Sequence, residues 1–222
     1  MIVLKQKPLD WILETVRNYD NILIVGCNGC SGIYQVGGEK QVKNLKMVLD
    51  MAFKIRFRKN VNVETCTLLR QCDRDLVASS LRPLVRRIKE NGAIISLACG
   101  AGVQTVSNVF PEVVVIPGCD TLFIGMRTKE LGEFSELCKA CGECILYETG
   151  GVCPITRCAK GLLNGPCGGM RNGKCEVDPE RDCAWYLVYN RLKLQGRLDL
   201  FVKFRPPRDY RASLSPRTWR VE

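Results

Sequence analysis

Cysteine is the residue type in this chain whose number and spacing could do chemistry, and eight of the fourteen fall within the 46 residues from 138 to 183. That stretch opens with CKACGEC, so Cys138, Cys141 and Cys144 stand at two successive x₂ spacings. Three thiolates so placed can converge on one small inorganic body while the amides between them turn toward the sulfurs, the usual way a [4Fe–4S] cluster is held. Cys153, Cys158, Cys167, Cys175 and Cys183 bring the total to two complete sets of four, and the glycines among them let the backbone approach closely. Two clusters is the simplest count. In two-cluster ferredoxins the cysteine that precedes a proline serves the other centre, and Cys153-Pro154 suits such a crossover. Spacing leaves open the fourth ligand of the trio and the partition of the remaining five. Cys₄ zinc is the alternative donor chemistry, although a zinc site rarely packs three ligands so tightly.

Histidine is absent, which excludes Cys₂His₂ zinc, Rieske-type ligation and any acid–base scheme built on imidazole. The opening run MIVLKQKPLDWIL has no long uncharged segment and no small-residue cleavage site, and no stretch approaches the roughly 20 apolar residues that span a membrane. These features point to a cytoplasmic chain without membrane insertion. A reducing compartment disfavours a disulfide framework and leaves metal binding as the reason for so many cysteines. With 222 residues, 46% of them hydrophobic and 25% charged, the chain can form one or two domains with a real core. Its 33 Lys and Arg against 23 Asp and Glu give a net charge of +10. Each cluster on four thiolates nets about −2, so two would bring the total to about +6, and part of the basic excess thus offsets the metal centres. Nucleic-acid binding is the other use of a basic chain, but no RRM-like, KH-like or helix-turn-helix signature is present and aromatics to stack bases are few.

The elements that must position these sulfurs are legible upstream. Pro8 followed by LDWILETVRNY predicts an opening amphipathic helix with Leu9, Ile12, Leu13 and Val16 on one face. The short apolar run at 21–26 and the stretches at 61–65, 93–98 and 113–118 that repeat its signal read as strands, with helical stretches at 39–56, 73–91 and 101–110. That alternation belongs to a parallel sheet covered on both faces, and it predicts an α/β, Rossmann-like domain over residues 1–125. The other six cysteines follow the strands: Cys27 and Cys30 the first, Cys66 and Cys72 the second, Cys99 the third, Cys119 the fourth. Ligands of open α/β sheets bind beyond the carboxyl ends of the strands, so these six are candidates for a further metal site at one rim. The x₂ spacing of Cys27 and Cys30 carries most of that reading; taken singly, Cys66 or Cys119 better suits a small buried core residue. The loop GCNGCSGIYQVGG also invites a dinucleotide reading. Its glycines are spaced G-x-x-G-x-x-G, two intervening positions are cysteine, and the second strand ends in Cys66 where a ribose-binding acid is wanted, with only Glu64 nearby.

Residues 121–137 read as a polar helical linker with Leu131, Phe134 and Leu137 as apolar points. A small cysteine-rich, ferredoxin-like metal domain is predicted over 126–196, too rich in Gly, Pro and Cys to fold without its metal. Lys139, Arg157, Lys160, Arg171 and Lys174 lie among its cysteines, where positive charge would raise a cluster's potential or simply be solvated. AWYLVYNRLKLQG predicts a helix ended by Gly196. Residues 197–222 form a basic, Pro-containing extended tail that should lie on something, either a partner or its own domain.

The run CKACGECILYETGGVCPITRCAKGLLNGPCGGMRNGKCEVDPERDCAWYLVYNRL, with LIVGCNGCSG, GGEK and SLACGAGVQ upstream, resembles the MetV family, the iron–sulfur subunit of the MetVF-type methylenetetrahydrofolate reductase of acetogenic and related anaerobes. The resemblance extends to about Leu194, and it departs at Tyr34, where members often carry a further cysteine. It implies a non-catalytic electron-transfer subunit with [4Fe–4S] clusters, an upstream electron donor, and a MetF-like flavoprotein partner that itself reduces the folate. Without histidine or paired carboxylates in a cleft, this chain carries no acid–base machinery of its own.

Overall fold

The computed structural model describes residues 1–88, 90–128, 130 and 132–220, and the chain divides into two units, Met1–Phe123 and Ile124–Glu222. Short apolar runs frame the first. Ile2–Gln6 forms β1, an element without a strong sequence signal, in which Val3 and Leu4 are buried. The expected opening helix is α1 (Leu9–Val16), which starts directly after Pro8; Ile12, Leu13 and Val16 are buried while Leu9 is exposed.

β2 (Asn21–Cys27) is followed by the short α2 (Cys30–Ile33), the long α3 (Glu39–Ile55), β3 (Asn62–Leu68), α4 (Arg74–Arg87), β4 (Gly92–Ser96), α5 (Gly100–Val109) and β5 (Val114–Pro117). The four strands β3-β2-β4-β5 make one parallel sheet. Successive side chains of a strand point to opposite faces, and here both faces are dry. Ile22, Ile24 and Ile95 pack with α1 and α3 residues on one side, whereas Leu23, Val25 and Ile94 pack with α4 and α5 residues on the other. Covered faces are the requirement of a parallel sheet, and the mixed α/β reading of this part holds.

Residues 121–137 are where the expectation fails. The described residues among them form no helix: β6 (Cys119–Arg127) neighbours β1 and pairs antiparallel with β7 (Phe134–Cys138), with a register shift between Ile124 and Gly125. The CDTLFIGMR run, with Leu122, Phe123 and Ile124 apolar in succession, satisfies a strand once a partner strand takes its hydrogen bonds. Phe134 and Leu137 lie in β7, and Leu131 lies outside the described residues.

In the second unit little is regular: β7, a single turn α6 (Pro154–Arg157), α7 (Ala184–Leu194), α8 (Asp199–Val202) and a 3₁₀ turn, Tyr210–Ser213. Its core is small and gathers on α7, where Trp185, Val188 and Leu192 pack with Val152 and Cys183. Phe201 of α8 meets the Trp185 and Tyr189 rings edge-on at 6.1 and 5.5 Å. α7 stops as its sequence predicts. Gly196 takes φ 67°, and Arg197 N–H then reaches the Leu192 carbonyl at 2.9 Å. Among the described residues no helix is long and apolar enough to cross a membrane.

Candidate metal centres

In the first unit the carboxyl ends of the strands bring four of the six cysteines toward one another. Cys27 closes β2, Cys30 opens α2, Cys72 precedes the α4 cap Asp73, and Cys99 is the cap of α5. Burial chiefly pushes the Cys72 thiol up, and the nearby Cys99, Cys27 and Cys30 sulfurs add to the rise. The loops are held by specific bonds. Cys27 N–H donates to Gly37 O at 2.9 Å, Asn28 N–H to Leu68 O at 2.8 Å, and the buried Ser31 hydroxyl to Leu97 O at 2.6 Å. The wholly buried Gln71 side chain donates to Val25 O at 2.9 Å and accepts from Ser96 Oγ at 2.7 Å, fixing the turn that carries Cys72. Gly37 has to be glycine, because a Cβ there would stand 2.0 Å from Leu97 O.

Cys66 and Cys119 do not share this rim. Cys66 lies inside β3 rather than at its end and packs against the α4–α5 core. Cys119 belongs to the α1–α3 core, where burial, helped by Asp120, pushes its thiol up to about 12.

In the second unit the hairpin ends on Cys138, and the CKACGEC loop turns through two left-handed residues, Ala140 (φ 51°) and Gly142 (φ 86°). That turn brings the Ala140 amide back to Cys138 Sγ at 3.3 Å, the amide-to-sulfur pattern the spacing predicts. Cys153 caps α6, whose turn packs on β7, and Thr156 Oγ1 donates to Cys153 Sγ at 3.5 Å. The other four sulfurs sit together elsewhere: Cys158, Cys167, Cys175 and Cys183 all line one pocket, with Trp185 forming an apolar wall. Trp185 is held there by its indole N–H, which donates to Leu162 O at 3.1 Å, and Gly165 gives it room, since a Cβ would meet the ring at 2.3 Å. At the pocket edge Cys167 Sγ donates to Glu176 Oε2 at 3.4 Å. Lys160, at 2.5 Å from the same oxygen, holds the Glu176 carboxyl below its ordinary range.

The donor chemistry suits iron–sulfur ligation: four thiols line one partly apolar pocket, and in the CKACGEC loop an amide is already directed at a sulfur. As the side chains stand, no three Cys, Asp or Glu among the described residues are grouped tightly enough for a single metal ion.

The sequence reading missed the residue that touches the first set from outside it. Arg208, in the tail, donates from Nη2 to Cys141 Sγ at 3.3 Å and to Glu143 O at 2.8 Å. Nothing local signals this contact, because 67 residues separate the partners. Lys139 and Lys174, by contrast, pair with the carboxylates of Glu136 and Asp182 at 2.7 and 2.9 Å.

Residues 116–211 match the family model described as methylene-tetrahydrofolate reductase C terminal. The matched span takes in all eight cysteines from 138 to 183 and Arg208, and it links this part of the chain to methylenetetrahydrofolate reductase. No curated protein and no solved structure matches the chain.

Proposed function

We propose that this chain is an electron-transfer subunit that passes electrons to the flavin of a MetF-type methylenetetrahydrofolate reductase. The observation that supports the reading is that Cys158, Cys167, Cys175 and Cys183 line one pocket, apart from the Cys138–Cys144 loop, within the span matched to that family. Cys138, Cys141, Cys144 and Cys153 would hold one [4Fe–4S] cluster, and Cys158, Cys167, Cys175 and Cys183 the other. Cys27, Cys30, Cys72 and Cys99 would hold a third at the sheet rim. Bound there, such clusters supply one-electron transfer at potentials set by charge, hydrogen bonds to sulfur and solvent access.

The protein's own residues provide that setting. The Ala140 amide and the Arg208 guanidinium donate to sulfurs of the first set, and the Trp185 wall keeps water from one side of the second. The folate chemistry belongs to the partner, which this chain reaches without an acid–base site of its own.

Anaerobic mixing of the dithionite-reduced chain, freed of excess reductant, with a MetF-type flavoprotein tests the role. Bleaching of the flavin absorbance and co-elution of the two proteins are expected. An unchanged flavin with separate elution overturns the proposal.

A further inference from the structure

We infer that Arg208 is a positioning residue for charge: the tail holds its guanidinium against Cys141 so as to raise the reduction potential of the first centre. This rests on the reading that Cys138, Cys141 and Cys144 carry a cluster. The Arg208 side chain is only 6% exposed. Nη2 has its two acceptors, Cys141 Sγ and Glu143 O, but Nη1 is buried with no partner among the described residues. The nearest carboxylate oxygen, Glu143 Oε2, stands 3.7 Å from Nη2 and belongs to a side chain that is 58% exposed.

A guanidinium never loses its charge, and a desolvated cation with an unfilled donor is costly unless negative charge faces it. A neutral thiol is a weak acceptor that offsets little of this cost. Thiolates bound to a four-iron core, with a net charge of about −2, offset much more through charge-assisted hydrogen bonds. The unfilled Nη1 donor and the Nη2–sulfur bond therefore point to the same anionic neighbour.

The tail is fastened where it makes this contact. Gly142 lies so close that a Cβ would stand 2.7 Å from Ala212 O, and Arg217 Nη1 donates to Ala140 O. Pro206 and Pro207, just before Arg208, restrict the approaching backbone. A fixed cation and donor at the sulfur stabilise the more negative, reduced state. In that one-electron step an external reductant supplies the electron, and no bond of this chain forms or breaks.

The test uses the anaerobically prepared full chain, its iron content, and a potentiometric titration followed by electron paramagnetic resonance. Arg208→Gln should lower one midpoint potential by about 59 mV, equivalent to about a tenfold loss in the one-electron reduction equilibrium, and leave the others in place. Arg208→Lys, which keeps the charge and loses the fork, should recover part of the shift. Arg211→Gln, on the same tail but 86% exposed and paired with Asp209, should change nothing. If Arg208→Gln instead fails to load that centre, iron falls by about four atoms per chain while Arg208→Lys retains them, which also supports the inference. Full iron with every potential unchanged in Arg208→Gln overturns it and leaves the electron-transfer reading standing. A wild-type chain that binds no iron overturns that reading and this inference together.

Discussion

Ser96 Oγ donates to Gln71 Oε1 at 2.7 Å with both side chains fully buried, and this bond ties the loop carrying Cys72 to the end of β4, just before Cys99. The Gln71 amide N–H donates to Val25 O on β2, just before Cys27. One amide thus sets the spacing of three strand ends. Gln71→Ala leaves the buried Ser96 hydroxyl without its acceptor, while Val25 O keeps the bond from Leu97 N–H at 2.9 Å, at a cost of about 1–3 kcal/mol. Urea unfolding followed by circular dichroism should show that loss, and metal bound at the rim should fall with it.

The rim sorts its cysteines sharply. Cys27→Ser, Cys30→Ser, Cys72→Ser and Cys99→Ser should each remove the first-unit centre, a loss of about four irons per chain, whereas Cys66→Ala and Cys119→Ala should leave iron content unchanged. Iron analysis of the six variants decides it. Equal losses in all six would place the site elsewhere.

Cys119 also predicts an alkaline effect. Burial first, then Asp120, raises its folded pKa to about 12 from an ordinary 9.0. The folded chain therefore holds this proton more tightly than the unfolded chain does, so the stabilisation is fully present below pH 9 and fades as pH rises toward 12. Melting temperature against pH should fall less steeply over that window in Cys119→Ala.

Acid should act on the second unit through Glu148. Its hydrogen bond with Lys203, opposed in part by desolvation and aided by Arg205, holds the carboxyl below its ordinary 4.5. That contribution is present above pH 4.5 and lost as pH drops through the lower folded value. Glu148→Gln should flatten the acid limb of the stability profile. Arg205→Ala should cost about 2–4 kcal/mol, because the guanidinium is 6% exposed, bonds Glu148 and Leu200 O, and stacks 5.6 Å over Trp185.

The parallel sheet was legible because β2, β4 and β5 are short apolar runs and β3 begins as an alternating one, with amphipathic helices between them; both signals are local. The β6–β7 hairpin was not. Residues 121–137 read as helical until β1 and β7 are known to take the hydrogen bonds of β6. Cysteine spacing marked the candidate donors in both units, but which sulfurs come together depends on loop closure: the Gln71 bridge at the rim, the Trp185 wall in the second unit. The tail's composition marked it as something that lies on a surface. That the surface includes Cys141 follows only from the folded path of Arg208.

The central claim, that the eight cysteines from 138 to 183 hold two iron–sulfur clusters, is tested most directly with the first-unit site removed. Iron and acid-labile sulfide should be measured on anaerobically purified Cys27→Ser/Cys30→Ser chain. The account predicts a brown protein with about eight irons and as many labile sulfides per chain, its absorbance bleached by dithionite. A colourless chain carrying stoichiometric zinc and no labile sulfide would contradict it.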